Sequence, residues 1–219
     1  MRGLFLSFEG SEGCGKSTQI RLLIEWLTAH HRDVLMVREP GGTPVGEKVR
    51  HLLQHDSDAG AMTAETELLL FAASRAQLVR EVILPALEQD RIVVADRFLD
   101  STTVYQGIGR RLPTAEVRAI NRFAAGSHLP HLTFLLDMDA REAMHRVHAA
   151  RGADGGLDRI EDQPIAFFED VRRGYLEIAA SEPHRIKVLD ASQPEAVIAS
   201  QIQLALAATR HALLEGIGA

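Results

Sequence analysis

Cys14 is the only cysteine in 219 residues, so no internal disulfide can form, and a reducing, cytoplasmic home is expected. No apolar run approaches the roughly 20 residues that span a bilayer. The opening run meets Glu9 too early for a secretory signal. A basic excess is missing too: 24 Lys and Arg stand against 30 Asp and Glu, a net charge of −6. That balance argues against non-specific nucleic-acid binding, which needs a basic footprint, while local arginine clusters could still hold a small anion. Neither a membrane nor a nucleic acid is expected as a partner. Repeats, low-complexity tracts and long linkers are absent as well, and 46% hydrophobic residues suffice for one sizeable core with a small mobile lobe.

The chain does carry Gly10-Ser11-Glu12-Gly13-Cys14-Gly15-Lys16-Ser17, the pattern G-x-x-x-x-G-K-[ST]. The apolar run Leu4–Phe8 precedes it and reads as a buried strand; the amphipathic run Thr18–His31 follows and reads as a helix. Glycines let the backbone aim its N–H groups at an anion, and the helix N-terminus adds positive potential at the same point. Lys16 can reach β- and γ-phosphates, and the Ser17 hydroxyl can ligate magnesium.

Further strands are expected at Val34–Val37, Ile92–Ala95, Leu132–Leu136 and Ile186–Leu189. Helical periodicity covers Val45–Gln54, Thr63–Gln89, Thr114–Ala125, Arg141–Ala150, Ala166–Ala180 and Pro194–Leu214. This alternation predicts an α/β fold: a three-layer sandwich with a five-stranded parallel sheet and helices on both faces. Ligands of such sheets bind beyond the carboxyl ends of the strands. The stretch from Arg151 through Gly155-Gly156 to Arg159 is small and flexible in composition, with an arginine at each end, and suits a mobile flap. Residues 141–163 are therefore expected to form a lid within a single domain, 1–219.

Two strands end in an acid, Asp96 and Asp137, where a carboxylate commonly helps hold a magnesium hydration shell. Spacing alone does not choose between them. The neighbouring Arg97 favours Asp96, while Asp137 reads as a helix N-cap together with Asp139. Glu12 is out of place in a phosphate cradle unless it points toward an arginine, a metal or a sugar hydroxyl. The loop holds no arginine, and phosphoryl transfer slows by about 10³–10⁵ without one, so Arg151 or Arg159 is the expected donor. Arg38-Glu39-Pro40-Gly41-Gly42 follows the second strand at the ligand edge. Phe71 and Arg75, four apart, share a helix face that could stack on a base and bond its edge. Ser101, Thr102, Tyr105 and Gln106 add hydroxyls, a ring and an amide with both donor and acceptor. The ten histidines form no cluster with a third ligand. The only asparagine, Asn121, is followed by Arg122, so the Asn-Lys-x-Asp guanine reader of GTPase switches is missing.

Together, Phe8-Glu9-Gly10, Glu12, Arg38 to Gly42, Phe71 with Arg75, Asp96-Arg97-Phe98, Ser101, Tyr105-Gln106-Gly107 and Asp158-Arg159-Ile160-Glu161 resemble the bacterial thymidylate kinases. The likeness runs from about residue 3 to the last helix. It implies a homodimer that transfers a phosphoryl group from ATP to dTMP with Mg2+. Residues Gly10 to Ser17, with Thr18, would hold ATP, and Lys16 would stabilise the transferred group. Arg97 would hold the dTMP phosphate, and Ser17 and Asp96 would organise magnesium. Glu12 would bind the acceptor sugar, Phe71 would stack on thymine, and Arg75, Thr102 and Gln106 would read its edge. Tyr105 would crowd a ribose 2′-hydroxyl, and Arg38 and Ser101 would complete the dTMP site. The chain departs from the family pattern at Val104, where a smaller Ala is expected, and in the added Gly155-Gly156. A kinase for a different small acceptor is the nearest rival reading, and Phe71, Arg75 and Gln106 discriminate the two.

Overall fold

The five apolar runs become β1 (Leu4–Glu9), β2 (Val34–Arg38), β3 (Ile92–Asp96), β4 (Leu132–Asp137) and β5 (Ile186–Asp190) of a computed structural model that describes residues 3–54, 56, 60–151 and 159–215. They form one parallel sheet in the order β2-β3-β1-β4-β5. Every strand runs one residue past the apolar stretch that announces it. Backbone pairing continues into the first polar position, as in Phe8 with Asp96, Arg38 with Asp96, and Asp137 with Asp190. Ladder bonds use the main chain and are indifferent to the charged side chain at the strand end. Glu9, Arg38, Asp96 and Asp137 are thereby held on rigid strand termini.

The helices are α1 (Lys16–Ala29), α2 (Pro44–Gln54), α3 (Ala64–Leu78), α4 (Leu84–Glu88), α5 (Leu99–Thr102), α6 (Thr114–Ala125), α7 (Ala140–Arg151), α8 (Ile165–Ser181) and α9 (Glu195–Glu215). Alternate strand residues feed opposite layers. Leu6, Phe8, Val94 and Phe134 pack under α1 and α9, with Ile20, Leu23 and Ile202 among their partners. Phe5, Val93 and Ala95 face Leu78, Ile83 and Leu87. Leu135 and Ile186 meet Phe168, Val171 and Ile178 of α8. Among the described residues no helix is long and apolar enough to cross a membrane.

The periodic run Thr63–Gln89 is not one regular helix. Thr63 caps α3 by accepting from the Thr66 N–H, and a π-helical turn, Val79–Ile83, separates α3 from α4. Pro85 gives the reason. It lacks an N–H, and its ring would strike the carbonyl four residues back, so a wider turn ahead of it relieves the clash. A second π-helical segment, Thr103–Gly109, continues α5 and was not anticipated. It is short, and its mixed side chains show no 3.6-residue stripe. Contacts with α8 hold it: Val104 is fully buried, and Gly174 of α8 has no side chain where Ile108 Cδ1 and a Val104 methyl pack against its backbone. The expected lid range spans α7, whose Ala143, Met144 and Val147 are buried, and a turn at 159–163. Asp158 and Gly155-Gly156 lie outside the described residues.

Candidate active site

The loop between β1 and α1 is shaped by glycine at positions where other residues would be strained. Gly13 has φ 73°, and a side chain there would begin 2.2 Å from the Ala143 carbonyl oxygen. Gly10 has φ 132°, with Leu136 O 2.5 Å from the same hypothetical atom. Helix α7 and the end of β4 thus press directly on the loop, which brings Val147 and Arg151 to its edge. Lys16 is folded back: its Nζ donates to the carbonyls of Gly10 (3.0 Å) and Ser11 (2.7 Å). Cys14 is buried, and its thiol donates to Ser11 O.

Two clefts open at this loop. The first, about 370 Å³, is bounded by Glu12, Arg38, Phe71, Asp96, Arg97 and Tyr105, with Arg75, Ser101, Thr102 and Gln106 also in its wall. The second, about 360 Å³, is bounded by Gly15, Ser17, Thr18, Arg146 and Ala150. Gly13, Lys16, Val147, Arg151 and Glu161 belong to both walls. Arg159, Gly10, Ser11 and Cys14 border neither.

Glu12 points across the first cleft. Arg97 donates to its Oε1 at 2.7 Å and the Tyr105 hydroxyl to its Oε2 at 2.7 Å. Burial pushes the Glu12 carboxyl up, but Arg97, Lys16 and Tyr105 outweigh it and hold the group below its ordinary value. Arg97 itself has φ 68°, an uncommon backbone state for a side-chain-bearing residue. Its N–H still bonds Phe8 O while its guanidinium turns back onto Gly10 O, Ser101 and Glu12, 5.2 Å from the Tyr105 ring centre.

Arg75 is 1% exposed. Its Nε and NH2 donate to Glu39 at 2.9 and 2.6 Å, NH2 to Thr102 at 2.7 Å, and NH1 to Asn121 at 2.7 Å. Only one NH1 hydrogen is left for a ligand. Burial pushes the Glu39 carboxyl up more than Arg75 pulls it down. Gln106 gives its amide NH2 to Glu67 at 2.7 Å, and Phe71 is half-buried at the cleft. Ser101 donates to Glu9 at 2.6 Å, and Arg38 turns outward to Glu47 at 2.8 Å.

The two strand-end acids differ. Asp137 is held by both arms of Arg172, at 2.7 and 2.9 Å. Asp139, not Asp137, caps α7 by accepting from the N–H groups of Arg141 and Glu142. Asp96 keeps its buried Oδ1 without a hydrogen-bond partner. The flanking arginines also part company: Arg151 is ion-paired with Glu161, while Arg159 sits 2.6 Å from Glu67.

Glu9, Glu39, Glu67 and Asn121 carry the site's internal wiring, which the sequence does not announce. Glu9 is fully buried and accepts from Phe98 N, Ser101 Oγ and Tyr175 Oη. Burial, then the nearby Asp100, raises its carboxyl from 4.5 to about 7. The one sequence signal was a carboxylate set among apolar neighbours, which demands a partner.

A family model described as "Thymidylate kinase" matches residues 8–202. The chain belongs to the thymidylate kinase family. A thymidylate kinase of Kosmotoga olearia is 45% identical over 199 residues, covering 91% of this chain and 93% of that one. One of Clavibacter sepedonicus is 44% identical over 203 residues, covering 93% and 94%. The crystal structure of thymidylate kinase from Ehrlichia chaffeensis superimposes with a TM-score of 0.74 at 32% identity, covering 94% of this chain and 99% of that one. The family's five-stranded parallel sheet with flanking helices is the fold described above.

Proposed function

We propose that the two clefts are the donor and acceptor sites of one phosphoryl transfer. The chain is a nucleotide kinase that moves the terminal phosphoryl group of ATP to dTMP, giving ADP and dTDP and feeding dTTP supply for DNA synthesis. The observation that carries the assignment of sites is the shared wall: both clefts end on Gly13, Lys16 and Arg151. Nucleotides entering from opposite sides meet there with their phosphates end to end. Phosphoryl transfer asks little covalent help and depends on in-line placement and charge neutralisation.

In this reading, residues Gly10 to Thr18 hold ATP, and Lys16 leaves its loop carbonyls for the transferred group. Arg97 binds the acceptor phosphate, and Glu12, steadied by Arg97 and Tyr105, takes the sugar hydroxyl. Phe71 stacks on thymine while Arg75, Thr102 and Gln106 line its edge, with Arg38 and Ser101 supporting the walls. Arg151 is the catalytic arginine, because it borders both clefts, whereas Arg159 is committed to Glu67 at the base end. Segment 141–163 is the lid that keeps water from the phosphoryl group.

Magnesium suits the residues present. No group of three His, Cys, Asp or Glu among the described residues could cage a metal. Mg2+ is usually held by phosphates, waters and one or two protein oxygens. The unpartnered Asp96 Oδ1 and the Ser17 hydroxyl fit that role, and the ion would neutralise charge on the phosphates. A homodimer is supported by α3 and α6, which pack together yet leave Leu69 56% and Phe123 85% exposed. A cytoplasmic site of action agrees with the lone buried cysteine.

A coupled ADP-release assay with Mg-ATP and dTMP, dUMP, dCMP, AMP or GMP tests the reading. The highest kcat/KM is expected for dTMP; preference for any other acceptor overturns it.

A further inference from the structure

Glu67 is 2% exposed, lies on α3 one turn before Phe71, and does not itself line the acceptor cleft. It is met by polar groups from three directions. Gln106 Nε2 donates to its Oε1 at 2.7 Å and Arg110 to both oxygens at 3.3 Å, while the Arg159 guanidinium lies 2.6 Å from Oε2 as an ion pair. Burial pushes this carboxyl up, yet Gln106, Arg110 and Arg159 together hold it below its ordinary value. At neutral pH it is an ionised carboxylate, which can only accept hydrogen bonds.

That one-sided chemistry decides which way the Gln106 amide faces. Its NH2 must lie on the Glu67 side, because the flipped amide would set its carbonyl oxygen against a carboxylate. Gln106 is 2% exposed and lines the cleft, and among the described residues nothing donates to its Oε1. The end left for a ligand is thus an acceptor. We propose that Glu67 is a specificity-positioning residue: it locks Gln106 with its carbonyl oxygen toward the base, so that the cleft admits a pyrimidine bearing hydrogen at N3 and rejects one with a bare N3. Thymine and uracil carry that hydrogen. Cytosine offers a lone pair there, facing the amide oxygen, and could be matched only by the flipped amide that Glu67 forbids. The proposal rests on the first cleft being the dTMP site.

The test is the ratio of kcat/KM for dTMP to that for dCMP at saturating ATP. Sites built around one hydrogen-bond pattern reject the mismatched base strongly, so wild type is expected to favour dTMP by at least about 10³-fold. Glu67→Gln keeps the shape but can donate, which lets Gln106 turn over; its ratio is expected to fall at least about 10-fold while KM for ATP is unchanged. Glu67→Asp stays acceptor-only and should keep most of the ratio. Loss of the Arg110 and Arg159 pairs alone would lower stability or change both substrates alike, leaving the ratio intact. A folded Glu67→Gln with the wild-type ratio overturns the proposal. If that variant does not fold, Gln106→Met decides: loss of discrimination supports the proposal, and the wild-type ratio overturns it. Wild type inactive on dTMP would instead sink the underlying site assignment.

Discussion

The Glu39–Arg75 pair offers the sharpest test of how the cleft proposed for the acceptor is held. Both side chains are buried, at 3% and 1% exposure, with 2.6 Å between Arg75 NH2 and Glu39 Oε2. Glu39→Gln removes the charge and keeps the shape. Removing one partner of a buried pair costs about 3–5 kcal/mol. Gln can still accept one of the arginine's bonds, and Thr102 and Asn121 remain in place, so the low end, about 3 kcal/mol, is expected. For a chain of 219 residues this lowers Tm by about 6–12 °C, at roughly 2–4 °C per kcal/mol. Arg75→Met on the Glu39→Gln background takes away the stranded cation. The double variant should then lose less than the sum of the single losses, by about 2 kcal/mol. Its KM for dTMP should rise more than that of Glu39→Gln, because one NH1 hydrogen of Arg75 is free to meet a base. Urea unfolding followed by circular dichroism supplies the energies, and the coupled assay supplies KM. Strictly additive losses, or a Glu39→Gln Tm within about 2 °C of wild type, would show that the pair is not what holds Arg75.

Two further outcomes follow from the same geometry. Lys16→Ala should lower kcat at least about 10²-fold with the melting curve unchanged, the scale of one lost transition-state contact; near-normal turnover removes Lys16 from the chemistry. Glu9 sets a pH dependence of stability. The unfolded carboxyl titrates at 4.5 and the folded one at about 7, so its contribution is full below about pH 4.5 and falls by roughly 3 kcal/mol as pH climbs through 7. Glu9→Gln does not titrate, so its Tm relative to wild type should rise by several degrees between about pH 5 and pH 8. A difference that stays flat over that range rules out the buried proton.

Local chemistry was legible in the residues. The loop Gly10 to Ser17, the five apolar strands and the helical stripes each depend on a few neighbours in sequence, and they appear where their periods place them, apart from the π-helical turn Val79–Ile83 that interrupts the run Thr63–Gln89. The helix from Leu99 through Gly109 was not legible, because its π-helical half is held by Gly174 and α8 rather than by its own pattern. The partners that hold Arg75 and Gln106 were not legible either. Glu39 lies 36 residues from Arg75 and Glu67 lies 39 from Gln106, and each takes part of its partner's donors.

The amino-acid order by itself determined where the glycine-rich loop turns between strand and helix, which segments pair into a sheet, and that charged groups gather at one sheet edge. Only the tertiary structure decided how those charges are shared. Asp137 was left to Arg172 while Asp96 kept a free oxygen, and Arg159 was left to Glu67 while Arg151 took the wall between the clefts. The physical reason is range. Hydrophobic period and turn chemistry act over a few residues, whereas an ion pair forms between whichever groups the packed layers bring within about 4 Å.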